Sequence, residues 1–130
     1  MKKLLIIFVL VFILNFIWEH LHSALYVHYK GAEITDLILF RAAIFDAGFI
    51  MLISTPFVFV KSLSKHFWIA AFAAFIFAVG LELYALQTSR WAYNSAMPII
   101  PLLGVGLSPA VQLGVTSFIA KFVTDKISSQ

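Results

Sequence analysis

The chain contains no cysteine and carries little charge, because only 12% of its 130 residues are Asp, Glu, Lys or Arg. The absence of cysteine excludes disulfides, thiol catalysis and thiolate metal sites, so any metal would need His and carboxylate ligands. Hydrophobic residues make up 62% of the sequence, and the mean hydropathy of +1.00 is far from that of a soluble domain. Composition therefore predicts a multi-pass membrane protein.

Four apolar stretches predict a single all-α transmembrane domain over residues 1–130, folded as a four-helix bundle with spans at about 4–26, 36–60, 67–86 and 98–123. The connection at 27–35 is polar and should be an exposed turn. Three prolines and two glycines occur from Met97 to Pro109, so we expect an irregular or re-entrant segment there. A regular helix should begin at Pro109, with Ser108 as its N-cap.

The basic residues predict the orientation of the spans. In the four-span arrangement only Lys30 and Arg90 lie on one side, and six lysines lie on the other: Lys2, Lys3, Lys61, Lys65, Lys121 and Lys126. The positive-inside rule then puts both termini in the cytoplasm, and we expect a bacterial cytoplasmic (inner) membrane protein. The lysines are dispersed rather than massed in one patch, so no nucleic-acid partner is indicated.

An acid and two imidazoles lie near the outer end of the first span, in the sequence Trp18-Glu19-His20-Leu21-His22. Ionisable groups are costly in hydrocarbon, so such a cluster indicates a functional site. Helical spacing puts four polar side chains on one face of this span: Asn15, Glu19, His22 and Tyr26. The site should lie in the outer-leaflet half of the bilayer.

Further ionisable residues occur at comparable depth in the other spans. Arg41 and Asp46 are five positions apart, so each should need a partner on another helix. Glu82 lies within a stripe of small residues on one helical face. Such a stripe favours close helix packing in lipid, so Glu82 should face protein; the small residues are Ala71, Ala74, Ala78, Ala85 and Ser89. Gln112 lies about one turn into the last helix.

Three acids, Glu19, Asp46 and Glu82, face one certain cation, Arg41, so they cannot all stay ionised without help. A carboxyl group that keeps its proton would suit acid/base chemistry on a lipid- or isoprenoid-like substrate. The candidate catalytic residues are Glu19, Glu82, Arg41 and His22. The candidate ligand-binding residues are Asn15, Tyr26, Asp46, Arg90, Trp91 and Gln112.

Other interpretations stay open. Glu19-x-x-His22 has the spacing of metal ligands in helical bundles, and Glu82 would complete a divalent metal site. The charges could instead only fix helix register in a structural subunit, or line a transport path in a homo-oligomer. Four aromatic residues are most simply residues of the membrane interface: Trp18, Trp68, Trp91 and Tyr93. No other cofactor is predicted, and the expected partner is a membrane lipid or an apolar small molecule.

The segment Glu82–Tyr93, followed by Met97-Pro98, Gly104–Pro109 and Gln112, resembles a group of small bacterial membrane proteins of uncharacterised activity. The resemblance covers most of the chain, includes the Trp18-Glu19 region, and implies a four-span fold without an activity. An acid followed by Ser-Arg-aromatic at Ser89–Trp91 is also similar to the sterol isomerase and sigma-2 receptor group. That likeness implies an apolar amine or sterol held against membrane carboxylates.

Overall fold

The computed structural model describes residues 2–128 and is mostly helical. Its four long helices are α1 (Lys2–His22), α2 (Asp36–Phe59), α3 (Trp68–Gln87) and α4 (Leu107–Ser128). Two short strands, β1 and β2, cover Tyr26–Tyr29 and Trp91–Tyr93, and 3-10 helices cover Ser23–Leu25 and Lys61–His66. The predicted domain, 1–130, includes residues 1, 129 and 130, which lie outside the described residues.

Within residues 2–128, three segments are helical, long and apolar enough to cross a membrane: Lys2–Leu25, Asp36–Phe59 and Trp68–Gln87. The prediction of a membrane protein with transmembrane helices is confirmed at that level. The predicted second and third spans agree with α2 and α3 to within one residue at each end. Helix α4 is equally long but less apolar, so its crossing of the membrane stays a prediction.

The helices pack in the order α2, α1, α4, α3, because α1 lies against both α2 and α4, and α4 lies against α3. Ile7 and Val11 of α1 are completely buried in the central core. Helices α2 and α3 make few contacts, among them the stacked rings of Phe49 and Phe77, whose centroids are 4.1 Å apart. A gap therefore remains between α2 and α3.

The small-residue stripe of α3 is the seam against α4. Ala71, Ala74 and Ala78 are at most 6% exposed. A Cβ atom added to Gly114 of α4 would lie 3.3 Å from the Ala71 carbonyl oxygen, so the two backbones approach closely. Glu82 is 5% exposed. The prediction that this face packs against protein is confirmed.

Strands β1 and β2 pair antiparallel, with Tyr26 opposite Tyr93 and Tyr29 opposite Trp91. The predicted all-α class is therefore incomplete. Helix α1 ends at His22, and the helical segment that is apolar enough to cross the membrane ends at Leu25, one residue before the predicted end of the first span. The segment 27–35 is also partly strand rather than only an exposed turn. Pairing two short segments beyond the ends of α1 and α3 satisfies their backbone hydrogen-bonding groups, which a free loop would leave to solvent.

The proline- and glycine-containing segment before α4 folds back on itself. The Ile100 N–H donates to the Val105 carbonyl over 2.9 Å, and the Leu107 N–H donates to the Pro98 carbonyl over 2.7 Å. Gly104 has φ +72°, a conformation that glycine adopts without strain.

Helix α4 begins at Leu107, not Pro109, and extends to Ser128 rather than to about Val123. The predicted N-cap, Ser108, therefore lies inside the helix. Its hydroxyl is within hydrogen-bond distance of Trp18 and His22 of α1, so it connects two helices instead of capping one.

Candidate functional site

A buried polar network joins α1, α2 and α4 through the side-chain amide of Gln112. Gln112 Nε2 lies 2.7 Å from Asn15 Oδ1, 3.0 Å from Glu19 Oε1 and 3.3 Å from Asp46 Oδ2. Asn15 in turn donates to Thr116 Oγ1 over 3.0 Å. Asn15, Asp46 and Gln112 are each less than a tenth exposed. The sequence therefore identified four polar residues that the fold brings together.

The side-chain amide of Gln112 has fewer hydrogens than it has acceptors around it. An amide nitrogen carries two hydrogens, yet Gln112 Nε2 has three acceptors within reach. The acceptors compete for these hydrogens, unless one of the Glu19 and Asp46 carboxyl groups carries a proton. The geometry thus provides a place where a proton can be held or released by a carboxyl group.

His22 connects Glu19 to Ser108. Its Nε2 lies 3.1 Å from Glu19 Oε2, and its Nδ1 lies 2.9 Å from Ser108 Oγ. Trp18 Nε1 donates to the same hydroxyl over 2.9 Å, so Ser108 is free to donate its own hydrogen to Nδ1. In that arrangement the neutral ring donates from Nε2 to Glu19. The contacts also suit a cationic ring that donates from both nitrogens.

Glu82 lies apart from this network and is surrounded by aromatic donors. Trp91 Nε1 donates to Glu82 Oε2 over 3.0 Å, and the Tyr93 hydroxyl donates to the same oxygen. The Tyr26 hydroxyl is 3.3 Å from Oε1. Tyr93 also accepts the Gly106 N–H over 3.0 Å. The strand pair and the loop before α4 are therefore both tied to this one carboxylate.

The two strand tyrosines have altered acidity. Burial raises the pKa of Tyr26 well above its usual value, and the negative charge of Glu82 raises it further. Burial also raises the pKa of Tyr93, and its hydrogen bond to Glu82 adds to the effect. Both hydroxyls consequently stay protonated in the folded protein and act as donors to Glu82.

A cavity of about 500 Å³ separates the Gln112 network from Glu82 and is closed at one end by the strand pair. Its walls from α1 and α4 are mostly buried, for example at His22 and Leu113. Its exposed wall residues are on α2 and α3, for example Phe45 and Tyr84, which are 54% and 51% exposed. The cavity therefore opens sideways, through the gap between α2 and α3.

The two arginines are at the rim of the cavity. Arg41 is exposed, and among the described residues it makes no hydrogen bond or ion pair. The prediction that Arg41 has a partner on another helix is therefore wrong. The reason is depth: Asp46 lies further along α2 and faces Gln112, whereas Arg41 is beside the opening. Arg90 lies over the Tyr84 ring, with its guanidinium carbon 5.4 Å from the ring centre.

The proposed metal ligands do not form a cluster. Glu19 and His22 contact each other, but Glu82 is held by the aromatic donors. In the part of the chain that the structure describes, no three His, Asp or Glu side chains are grouped closely enough to hold a metal ion. The divalent-metal hypothesis therefore receives no support from the arrangement of these residues.

The sequence missed several members of the site. The sequence predicts that Trp18 and Tyr93 are aromatic residues of the membrane interface, but in the structure they donate hydrogen bonds to Ser108 and Glu82. Thr116 and Ser108 were not assigned to the site. Thr116 could have been found from the sequence, because it lies four positions after Gln112 and so shares its helical face.

No protein-family model, no curated protein and no solved structure matches this chain.

Proposed function

We propose that the chain is a four-span protein of the bacterial cytoplasmic membrane, with both termini cytoplasmic, that binds a largely apolar ligand in the cavity beside Glu19. The observation that carries the proposal is the sideways opening of this cavity between α2 and α3. A molecule dissolved in the outer leaflet could enter there without crossing water. Its polar end would meet Glu19 and Asp46.

The size and lining of the cavity support a ligand of this kind. Its volume of about 500 Å³ falls within the range of small-molecule pockets, about 300–1,000 Å³. On the α2 side the exposed lining residues are Phe45 and Arg41, whereas Asp46 of the same helix is buried and faces Gln112. That distribution suits an amphipathic molecule whose apolar part remains near the lipid.

We further propose that the bound ligand exchanges a proton with the Glu19 carboxyl group. His22 can accept or supply that proton, because its Nε2 is 3.1 Å from Glu19 and Ser108 supports its other nitrogen. A purely structural role for the charges predicts ion pairs between Arg41 and the acids. In the described residues Arg41 forms none, which favours the functional interpretation.

The test is to purify the protein in mild detergent and quantify the co-purified apolar molecules by mass spectrometry. Ala42→Phe places a large side chain in the cavity wall, and it should remove the ligand while the protein stays folded. Ala73→Phe, at an exposed position of α3 outside the cavity, is the matched control and should retain the ligand. Equal ligand content in both variants would contradict the proposal.

The acid/base step has its own test. The ligand-bound protein is incubated in deuterated water, and the mass of the extracted ligand is measured over time. Exchange catalysed at Glu19 should add deuterium at a carbon position in the parent protein but not in Glu19→Gln. The Gln variant keeps the side-chain volume and should melt at the same or a higher temperature, because it removes an acid from a buried network. Ligand binding without exchange would restrict the function to binding.

A further inference from the structure

A second cavity of about 410 Å³ lies at the opposite end of the helices, where α1 begins and where α2 and α4 end. Three lysines line it, one each from α1, the 3-10 segment and α4: Lys3, Lys65 and Lys121. We call this cavity the basic cleft. It shares no lining residue with the cavity beside Glu19, so it is a separate feature of the fold.

The charges of the basic cleft are not balanced. Among residues 2–128, Asp125 is the one acid that lines it; Asp125 accepts a hydrogen bond from Lys121 over 2.5 Å, and its other oxygen is 4.0 Å from Lys3. Lys65 is exposed and makes no hydrogen bond or ion pair within residues 2–128. The described lining residues thus carry three ammonium groups and one carboxylate, a net charge of +2.

A buried hydroxyl in the wall also lacks a partner. Thr124 is fully buried, and its Oγ1 has no hydrogen-bond partner among the described residues. An unpaired buried hydroxyl is costly, and such groups in folded proteins usually have a partner. An acceptor oxygen in the cleft would provide one.

The lysines stand next to apolar side chains. Ile7, Phe57 and Val58 line the same cleft, and the two residues from α2 are half-buried. A small hydrated anion gains nothing from these side chains. A molecule with a negative head and hydrocarbon chains would use both parts of the wall.

We propose that the basic cleft binds the phosphate-bearing headgroup of an anionic lipid. Basic pockets between membrane helices are suited to such headgroups, because lysine ammonium groups attract the phosphate while the chains remain against apolar residues. Lys65 neutralises one phosphate charge, and Thr124 donates its hydroxyl hydrogen to a headgroup oxygen. The lipid holds together the ends of α1, α2 and α4.

The experiment measures binding of dioleoyl phosphatidylglycerol to the purified protein by native mass spectrometry, with dioleoyl phosphatidylcholine as the neutral comparison lipid. The parent protein should prefer phosphatidylglycerol. Lys65→Gln should weaken its binding about fivefold, the factor expected from about 1 kcal/mol per lysine at an anionic surface. Lys61→Gln changes a nearby exposed lysine outside the cleft, so it is the matched control and should bind as the parent does.

Thr124→Val separates a binding role from a structural one. It should also weaken phosphatidylglycerol binding, yet it should not lower the melting temperature of the lipid-free protein, because it removes an unpaired buried hydroxyl. Equal affinity for the two lipids, or equal losses in Lys65→Gln and Lys61→Gln, would overturn the proposal. A final arm adds inorganic phosphate alone. If phosphate binds as tightly as the lipid does, the natural ligand is a free phosphate and the lipid proposal is wrong.

Discussion

Gln112 donates its side-chain amide to Asn15 over 2.7 Å, a hydrogen bond between α4 and α1 that is buried in the protein. Thr116, one turn further along α4, donates its hydroxyl hydrogen to the Gln112 carbonyl over 2.9 Å and accepts from Asn15. Two polar side chains that lower the hydropathy of α4, Gln112 and Thr116, are thus turned inward and hydrogen-bonded. A helix of this kind can pack within a membrane bundle despite its composition.

We predict that Gln112→Leu destabilises the protein. The substitution keeps the approximate volume but leaves the Asn15 carbonyl and the Glu19 and Asp46 carboxyl groups without their common donor. Each buried acceptor left unpaired typically costs about 1–3 kcal/mol, so the melting temperature in detergent should fall clearly. Gln87→Leu, at an exposed position near the end of α3, is the control and should have little effect. Similar melting temperatures for both variants would show that the network contributes no stability.

The parts of the fold that the sequence predicted well are those set by long apolar stretches. The bounds of α2 and α3 agree with the predicted spans to within a residue, because a stretch of about 20 predominantly apolar residues crosses a bilayer as a helix. The inward orientation of Glu82 followed from its alanine stripe, since small residues on one face indicate a close helix contact.

The strand pair could not be predicted in the same way. Strand β1 has four residues and β2 has three, and they are more than 60 positions apart in the chain. Segments of that length have no measurable periodicity, so only the folded helices bring them together. The role of Tyr93 depends on this pairing, which is why its hydrogen bond to Glu82 was missed.

The second prediction concerns alkaline pH. Because the pKa values of Tyr26 and Tyr93 are raised in the folded state, these hydroxyls stay protonated when the unfolded chain, with tyrosine pKa near 10, has ionised. The unfolded state then binds fewer protons, so the free energy of unfolding must fall as pH rises above about 10. Thermal melts between about pH 8 and pH 11 should show this decline.

Two variants separate the titration of the tyrosines from the loss of hydrogen bonds to Glu82. The double variant Tyr26→Phe with Tyr93→Phe should have a shallower decline, because it removes both shifted groups. Trp91→Phe also removes a donor to Glu82 but no titratable group, so it should melt at a lower temperature with the slope of the parent. Parallel slopes for all three proteins would contradict the assignment of the alkaline decline to these tyrosines.

The third prediction concerns the seam between α3 and α4. Ala74 is completely buried, so Ala74→Leu adds volume where the helices are in close contact, at a typical cost of about 1–3 kcal/mol. Ala73→Leu makes the same change on the exposed face of α3 and should leave the melting temperature in detergent unchanged. If only Ala73→Leu lost stability, the contact with α4 would lie on the Ala73 face of α3, and the prediction would be wrong.

The last prediction concerns orientation, on which the outer-leaflet position of the cavity depends. The strand pair that closes this cavity is on the side of Lys30 and Arg90, and the basic cleft is on the side of Lys3 and Lys65. The positive-inside rule puts the lysine-rich side in the cytoplasm.

Since the chain has no cysteine, single cysteines can be introduced one at a time and labelled with an impermeant maleimide. Glu33→Cys and Ser95→Cys, both at exposed positions, should be labelled from outside intact spheroplasts, and Ser62→Cys only after lysis. The reverse pattern would put the cavity in the inner leaflet, where Glu19 would face a different lipid supply.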